Sequence, residues 1–156
     1  MILDSGERMS FKSGAVRDIK KGRGRCDLLP LDIVYRFFKD KEYDDILIMV
    51  LDCLRKFEKT KDIIYLYRIL NNALAEYMFY DEYSMFLELS IHFEEGAEKY
   101  GIDNWKKGIP EWSYLDSAIR HFLKWARGDN DERHDRAFVW NIVCLIWTVE
   151  NKADEQ

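Results

Sequence analysis

The sequence predicts an all-α fold: a helical bundle of about six helices behind an irregular, basic N-terminal arm. Apolar residues recur at spacings of three and four over most of the chain after residue 43, which is the period of an amphipathic helix. No segment shows the convincing period-two alternation of a half-buried strand. The 156 residues suit one domain over 1–156, because a second hydrophobic core would need more chain.

The first 27 residues are predicted to be irregular, because Gly6, Gly14, Gly22 and Gly24 interrupt any helical period. Within this arm, residues 8–25 carry a net charge of +6, whereas the rest of the chain carries −11. An acidic body with one short basic segment argues against binding of a nucleic-acid polymer, which needs a broad positive face. The arm could hold phosphates, since arginine offers forked donors. A solvated arm is the alternative.

The first half of the chain is then predicted to be helical. Pro30 fits the first turn of a helix that we expect to end near Lys39. Apolar patterns of helical period follow over 46–57 and, after a short polar break, over 63–77. The segment of about 40–83 is the most separable part of the chain, because it carries none of the polar clusters described below.

The second half continues the helical pattern over 86–100 and stops at Gly101, a plausible left-handed cap. A loop follows, and Ser113 is predicted to open a helix through a capping box. That helix is expected to end before Gly128. An acidic segment then precedes a last helix, with an apolar pattern over 138–149.

The sequence EExxE at Glu94, Glu95 and Glu98 is a candidate metal site. Glu94 and Glu98 are one helical turn apart on one face. Hard divalent cations such as Mg²⁺ prefer carboxylate oxygens and complete their shell with water and substrate phosphates. The alternative is a solvated acidic face, in which Glu95 pairs with Lys99 four residues later.

A second carboxylate pair, Glu132 and Asp135, has ExxD spacing at the start of the last predicted helix. Together with EExxE it could form a metal site between facing helices. The alternative is that these acids match the helix dipole.

Histidine and amide side chains supply further candidates. His134 and Asn141 are seven residues apart, so they share one helix face, and His121 follows Arg120 on the preceding helix. A neutral histidine inside a helical protein is more often a hydrogen-bonded core residue than a ligand. An adjacent pair in the loop, Asn104 and Trp105, could contact a base through an amide and a stacked indole, or simply pack.

The cysteines and the hydropathy pattern bear on location. Cys26, Cys53 and Cys144 form no CxxC pair, which excludes a zinc knuckle or dithiol motif and is typical of a reducing, cytoplasmic setting. No apolar run approaches the ~18–20 residues that a membrane span needs. The first residues do not have the basic-then-apolar order of a signal peptide. We therefore expect a cytoplasmic protein with no membrane partner.

Two blocks of this sequence, about 11–34 and 86–149, carry an ordered set of motifs. The first block contains FKSGAVRD and GRGRCDLLP, and the second contains GAEKYG, Asn104-Trp105, Arg120-His121, Gly128-Asp129, His134 and Trp140-Asn141. These blocks resemble the phage and prophage dATP/dGTP diphosphohydrolase (N-terminal domain) family. On this comparison the segment of about 40–83 is a lineage insertion.

The resemblance implies an all-α nucleotide pyrophosphatase, similar in concept to MazG-type enzymes. Those enzymes hold Mg²⁺ or Mn²⁺ on EExxE and ExxD carboxylates and split a (deoxy)nucleoside triphosphate into monophosphate and pyrophosphate. They are commonly built as dimers or higher homo-oligomers. Phage nucleotide-pool metabolism, in the host cytoplasm, is the setting it implies.

Three sets of site residues follow from combining the motifs with the resemblance. The catalytic set is Glu94, Glu95, Glu98, Arg120 and His121. The set that binds a purine nucleotide is Arg17, Lys21, Arg25, Lys99, Asn104, Trp105, His134 and Asn141. The Mg²⁺ or Mn²⁺ ligands are Glu94, Glu95 and Glu98 with one or more of Asp116, Asp131 and Asp135.

Two other functions are compatible with the sequence. One is a non-catalytic phage protein that sequesters a purine nucleotide or a cyclic nucleotide immune signal, with the same basic arm and aromatic residues but no metal. The other is a helical interaction protein whose 40–83 segment docks a partner.

Overall fold

The arm forms a small antiparallel hairpin in the structure, a computed structural model that describes residues 6–72 and 74–154. Strand β1 (Arg8–Ser10) pairs with β2 (Val16–Asp18), with Met9 opposite Arg17. Gly14 supplies the left-handed backbone of the turn, at φ 88°. The hairpin was not predicted from the sequence, because each strand has three residues, too few to show alternation.

The prediction of a mostly helical fold is confirmed. The described residues contain seven α-helices and two short 3₁₀ helices, at Cys26–Leu28 and Asn104–Lys106. The α-helices are α1 (Leu31–Asp40), α2 (Asp45–Thr60), α3 (Ile64–Asn71), α4 (Leu74–Met78), α5 (Glu82–Tyr100), α6 (Glu111–Arg127) and α7 (His134–Asp154).

Two predicted boundaries were wrong. The pattern over 63–77 spans two helices, because the chain leaves helical geometry at Asn72, where φ is −99° and ψ is 68°. Helix α6 begins at Glu111 rather than Ser113, since Pro110 has φ −62° and an extended ψ of 145° and fits the position just before a first turn. Ser113 is therefore inside α6, where it is fully buried.

Helices α6 and α7 share the most extensive contact between any two elements. Their buried faces meet through Phe122 and Phe138, whose ring centroids are 5.1 Å apart. The hydrophobic core continues without a break into Leu54 of α2 and Leu66 of α3. The 40–83 segment thus shares its core with the rest of the molecule, and its interpretation as an insertion stays a prediction.

None of the helices among the described residues combines the length and the apolar character that crossing a membrane requires.

Candidate functional site

A cavity of about 580 Å³ opens between the arm, α5, the loop that follows α5, and helices α6 and α7. This volume lies within the range of about 300–1,000 Å³ that is typical of small-molecule sites. We refer to it below as the central cavity.

Asn104 fixes the arm against the cavity. Its side chain is buried, its Oδ1 accepts from the Val16 N–H at 3.0 Å, and its Nδ2 donates to the Val16 carbonyl at 2.9 Å. These reciprocal bonds continue the ladder of β2 and hold the arm on the loop after α5. The amide that was predicted to contact a base is thus engaged within the chain, although Asn104 lines the cavity.

Arg17 extends from β2 into the cavity wall. Its Nη2 donates to Asn141 Oδ1 at 3.2 Å, and its Nη1 lies 3.4 Å from both oxygens of Ser113. The guanidinium is over the rings of Tyr114 and Trp140, at 5.3 and 5.7 Å from their centroids. Arg17 and Asn141, both predicted to bind nucleotide, are therefore in contact with each other on the wall.

Asp116 is the centre of a buried ionic cluster, which we call the Asp116 hub. Its Oδ1 accepts from the Cys26 N–H at 2.6 Å and from Arg120 Nη2 at 2.7 Å, and its Oδ2 accepts from Lys20 Nζ at 2.7 Å. Arg120 also donates to the Gly24 carbonyl at 2.7 Å. The carboxylate is fully buried and organises cations, so its oxygens are already committed within the chain.

Burial and neighbouring charges shift the pKa values of Asp116 and Lys20. Burial alone would raise the pKa of Asp116, but the hydrogen bonds and charges of Lys20 and Arg120 outweigh it and hold the pKa below its ordinary value. Burial and the neighbouring charge of Arg17 lower the pKa of Lys20 to about 8, against the opposing effect of Asp116. Both charges are thus held in place by one another, with Lys20 the more easily neutralised.

Cationic and aromatic side chains face the cavity together. The cations among its lining residues include Lys20, Arg23, Arg120 and Lys124 as well as Arg17; the aromatic residues include Phe93, Trp105 and Trp140. Trp105 also packs against Phe93 and Trp147, with centroids 5.4 and 5.1 Å apart. Such a lining suits a ligand that carries both negative charge and a flat ring.

Three basic residues that were predicted to bind nucleotide are placed elsewhere. Lys21 is exposed. Arg25 forks onto Asp27, with both donor–acceptor distances 2.7 Å, and stacks over Trp112. Lys99 donates to Asp18 at 2.9 Å. Their roles in binding stay predictions.

The EExxE glutamates do not converge within one chain. Glu94 and Glu98 are exposed, while Glu95 lies 3.6 Å from Arg136. Glu94 is among the cavity-lining residues. Over 6–72 and 74–154, neither of the two groups of three possible metal ligands contains any of these glutamates. The donor set for a glutamate-bound Mg²⁺ is thus not assembled by this chain alone.

The ExxD residues separate in the same way. Asp135 is held by Arg133, whose Nη2 and Nε lie 2.9 and 3.0 Å from its oxygens. Glu132 lies in the cavity wall instead. The two carboxylates of ExxD therefore lie apart, and a metal site shared between the two motifs stays a prediction.

Two histidines from different helices meet at the cavity edge. His121 Nδ1 of α6 lies 3.0 Å from His134 Nδ1 at the start of α7. His134 Nε2 lies 2.6 Å from Asp131 Oδ1, and Glu132 Oε1 lies 3.4 Å from His121 Nδ1. We call His121, His134, Asp131 and Glu132 the histidine corner. His134 is almost completely buried, whereas His121 and Glu132 line the cavity.

Hydrogen bonding fixes the state of the histidine corner. The hydrogen bond from His134 lowers the pKa of Asp131. This carboxylate is therefore ionised and accepts a hydrogen bond from the Nε2–H of His134. The Nδ1 of His134 faces His121 Nδ1. Burial, followed by the proximity of His134, holds the pKa of His121 well below its usual value, so His121 is neutral at pH 7.

Several lining residues were not among the predicted site residues. His92 packs against Trp140 at 5.4 Å, and burial together with the charge of Arg136 lowers its pKa to about 3. Lys20 belongs to the basic arm, but nothing in its spacing distinguished it from Lys21. Lys124 follows Arg120 by one helical turn, which was the available signal for that residue.

Comparison with known proteins supports the resemblance seen in the sequence. The family model described as dATP/dGTP diphosphohydrolase, N-terminal, matches residues 76–156. The matched part includes EExxE, Asp116 and the histidine corner, whereas the arm lies outside it. No curated protein and no solved structure matches the chain.

Proposed function

Since this chain belongs to the dATP/dGTP diphosphohydrolase N-terminal family, we propose that it binds a purine (deoxy)nucleoside triphosphate in the central cavity and hydrolyses it to monophosphate and pyrophosphate. The observation that carries the proposal is the lining of this cavity, where cationic and aromatic side chains stand together beside a pair of histidines. Each of the three groups has a role in this chemistry.

The cationic residues would bind the phosphates. Arg120 is held in place by Asp116, and Lys124 lies one helical turn beyond Arg120 on α6. Lys20 contributes its charge alone, because its three ammonium protons already donate to Asp116, Ser113 and Ser117. Such fixed cations stabilise the negative charge that develops on phosphate oxygens during transfer. Because they require no reorganisation when the substrate binds, they would act as a preformed phosphate site.

The aromatic residues would hold the base. Trp105 is half-buried and held by ring contacts on two sides, so little side-chain entropy is lost when a base stacks on it. The positions of Trp105 and of the cations would then fix the direction in which the triphosphate lies.

The reaction needs a water molecule and a site for its proton. The water oxygen forms a bond to the α-phosphorus, the bond from that phosphorus to the bridging oxygen breaks, and pyrophosphate leaves. We place the activation of this water at the histidine corner, where the Glu132 carboxylate lines the cavity and would act as the general base.

The described residues of one chain do not assemble a group of three glutamates for the Mg²⁺ or Mn²⁺ that the family resemblance implies. The carboxylates of Glu94 and Glu132 line the cavity and are the ones available to a cation that arrives bound to the triphosphate. A homo-oligomer, also implied by the resemblance, would be the other source of ligands. A cytoplasmic location stays part of the same proposal.

Product analysis tests the proposal directly. We expect the full chain, with Mg²⁺ or Mn²⁺, to convert dGTP or dATP to the monophosphate with one pyrophosphate per turnover. Lys124→Met should weaken nucleotide binding roughly 10- to 100-fold, because a charge-assisted hydrogen bond contributes ~1.5–3 kcal/mol. The matched variant Lys107→Met, on an exposed loop, should bind like the unmodified protein. Release of orthophosphate alone, or no turnover with either metal, would contradict the proposal.

Non-catalytic binding of a purine nucleotide or cyclic nucleotide is a second candidate. It is favoured by one observation: the cations face the cavity while two of the EExxE glutamates are exposed, so an anion could bind without a metal. Calorimetry in EDTA separates the two functions. Tight binding in EDTA, with intact nucleotide recovered after incubation with Mg²⁺, would support sequestration over hydrolysis.

A further inference from the structure

We infer that the histidine corner is a binding site for a divalent transition-metal ion, with His121 Nδ1, His134 Nδ1 and a Glu132 oxygen as its ligands. The inference deepens the proposed function and rests on it for the role of the ion. Binding of the ion itself can be measured without any nucleotide.

The three donor atoms have the spacing that one ion needs. The two Nδ1 atoms are 3.0 Å apart, and Glu132 Oε1 lies 3.4 Å from His121 Nδ1 and 3.9 Å from His134 Nδ1. A point equidistant from all three lies about 2 Å from each atom, which is the usual length of metal–imidazole and metal–carboxylate bonds. The site therefore requires no large movement of the side chains.

Asp131 orients His134 through a hydrogen bond to the ring nitrogen that would not bind the metal. A histidine that ligates a metal through one ring nitrogen usually donates the proton on its other nitrogen to a carboxylate. His134 Nε2 lies 2.6 Å from Asp131 Oδ1, and this bond leaves the lone pair of His134 on Nδ1, where it faces His121. The orientation is maintained by burial, since the His134 side chain is 1% exposed.

A neighbouring group of possible ligands is less suited. Asp129, Asp131 and His134 also lie close together, but Asp129 is held by both Nε and Nη2 of Arg127. The same group would use His134 Nε2, which is already bonded to Asp131. The Nδ1 side of His134 thus provides the better site.

The ligand types select the ion. Two imidazole nitrogens and one carboxylate suit first-row ions such as Mn²⁺, Fe²⁺, Co²⁺ and Zn²⁺, whereas Mg²⁺ prefers oxygen ligands alone. Three protein ligands leave positions open for water. Since His121 and Glu132 line the central cavity, the ion would lie at its edge, where it could lower the pKa of the water that attacks the α-phosphorus.

Titration of the chelator-treated full chain with Co²⁺ tests the site, by calorimetry and by the visible absorption of bound Co²⁺. We expect one equivalent to bind without nucleotide, and Mg²⁺ to compete poorly. His121→Gln and Glu132→Gln should each weaken Co²⁺ binding at least tenfold and change the absorption. Asp131→Asn should weaken binding about tenfold, because it removes the carboxylate that orients His134.

Two matched variants serve as controls, Asp129→Asn for the neighbouring group and Glu98→Gln for EExxE. Both should bind Co²⁺ like the unmodified protein, and circular dichroism should show that every variant is folded. The inference is overturned if the folded protein binds no Co²⁺ saturably, if His121→Gln and Glu132→Gln keep full affinity, or if a control variant loses it. Hydrolysis of dGTP with Mg²⁺ by a protein that binds no Co²⁺ would overturn this inference and leave the proposed function standing.

Discussion

The Asp116 hub and the EExxE face of α5 place the same chemical group in opposite environments. Asp116 is fully buried and accepts three hydrogen bonds from Cys26, Lys20 and Arg120. Glu94 and Glu98 are exposed. The EExxE spacing is the more conspicuous motif in the sequence. Asp116 nevertheless contributes more to the cavity, because it positions Lys20 and Arg120, two of the cations that line it.

The difference follows from which face of each helix is buried. On α5 the buried residues are Met85, Leu89 and His92. At ~100° per residue, Glu94 and Glu98 lie about half a turn round the helix from this stripe. On α6 every residue from Ser113 to Ile119 is buried, so Asp116 has no route to solvent and must find partners in the protein.

Replacing the hub carboxylate should have the largest effect. Asp116→Asn leaves the partly buried Lys20 and Arg120 without a counter-charge, and we expect it to lower the free energy of unfolding by about 3–5 kcal/mol. Chemical denaturation measures this change. Asp32→Asn is the matched control, since Asp32 also pairs with two cations, Arg55 and Lys59, but at the surface. Equal effects of the two substitutions would remove the distinction between buried and exposed carboxylates.

Removing the Asn104 side chain, which bonds to the backbone of Val16, should have the next largest effect on stability. Asn104→Ala leaves the N–H and carbonyl of Val16 without their partners, and we expect a loss of about 2 kcal/mol in unfolding free energy. Hydrogen exchange at the Val16 amide should accelerate in parallel. Asn72→Ala removes an exposed amide that donates to the Arg68 carbonyl at the end of α3, and it should change stability by less than ~0.5 kcal/mol. Unchanged exchange at Val16 would show that the arm is held by other contacts.

The pH dependence of stability should show the effect of the lowered pKa of Lys20. Its pKa is about 8 in the folded protein and 10.5 in the absence of burial, so between these values the unfolded chain binds a proton that the folded chain does not. The unfolding free energy of the unmodified protein should therefore rise with pH over this interval, relative to that of Lys20→Gln. The comparison with this variant is needed because buried tyrosines and cysteines titrate at high pH and act in the opposite direction. Parallel pH profiles would contradict the lowered pKa.

Replacing the exposed glutamates should have the smallest effect on stability. We expect Glu98→Gln to change the unfolding free energy by less than ~0.5 kcal/mol, since it lies on the solvent-facing side of α5. Chemical denaturation under the conditions used for Asp116→Asn checks this. A large loss of stability would show that a second copy of the chain covers this face, and light scattering of the same variant would then show a smaller assembly.

The candidate site could be predicted in part. Arg17, Asn104, Trp105, Arg120, His121 and Asn141 were predicted site residues, and all of them line the central cavity. They were found through the resemblance, whose residues are specific as an ordered set. Lys21 and Arg25 belong to the same basic segment as Arg17, and the charge of a segment does not report which of its cations point inward.

By itself, the sequence determined the helical class, most helix positions and the family, because these depend on local periodicity and on ordered motifs. Only the tertiary structure decided that His121 and His134 lie with their Nδ1 atoms 3.0 Å apart. It likewise decided that Lys20 contacts Asp116, which is 96 residues away along the chain. The physical reason is that periodicity specifies which face of a helix is buried, whereas the partners of that face depend on how α6 crosses α7 and on where the arm docks.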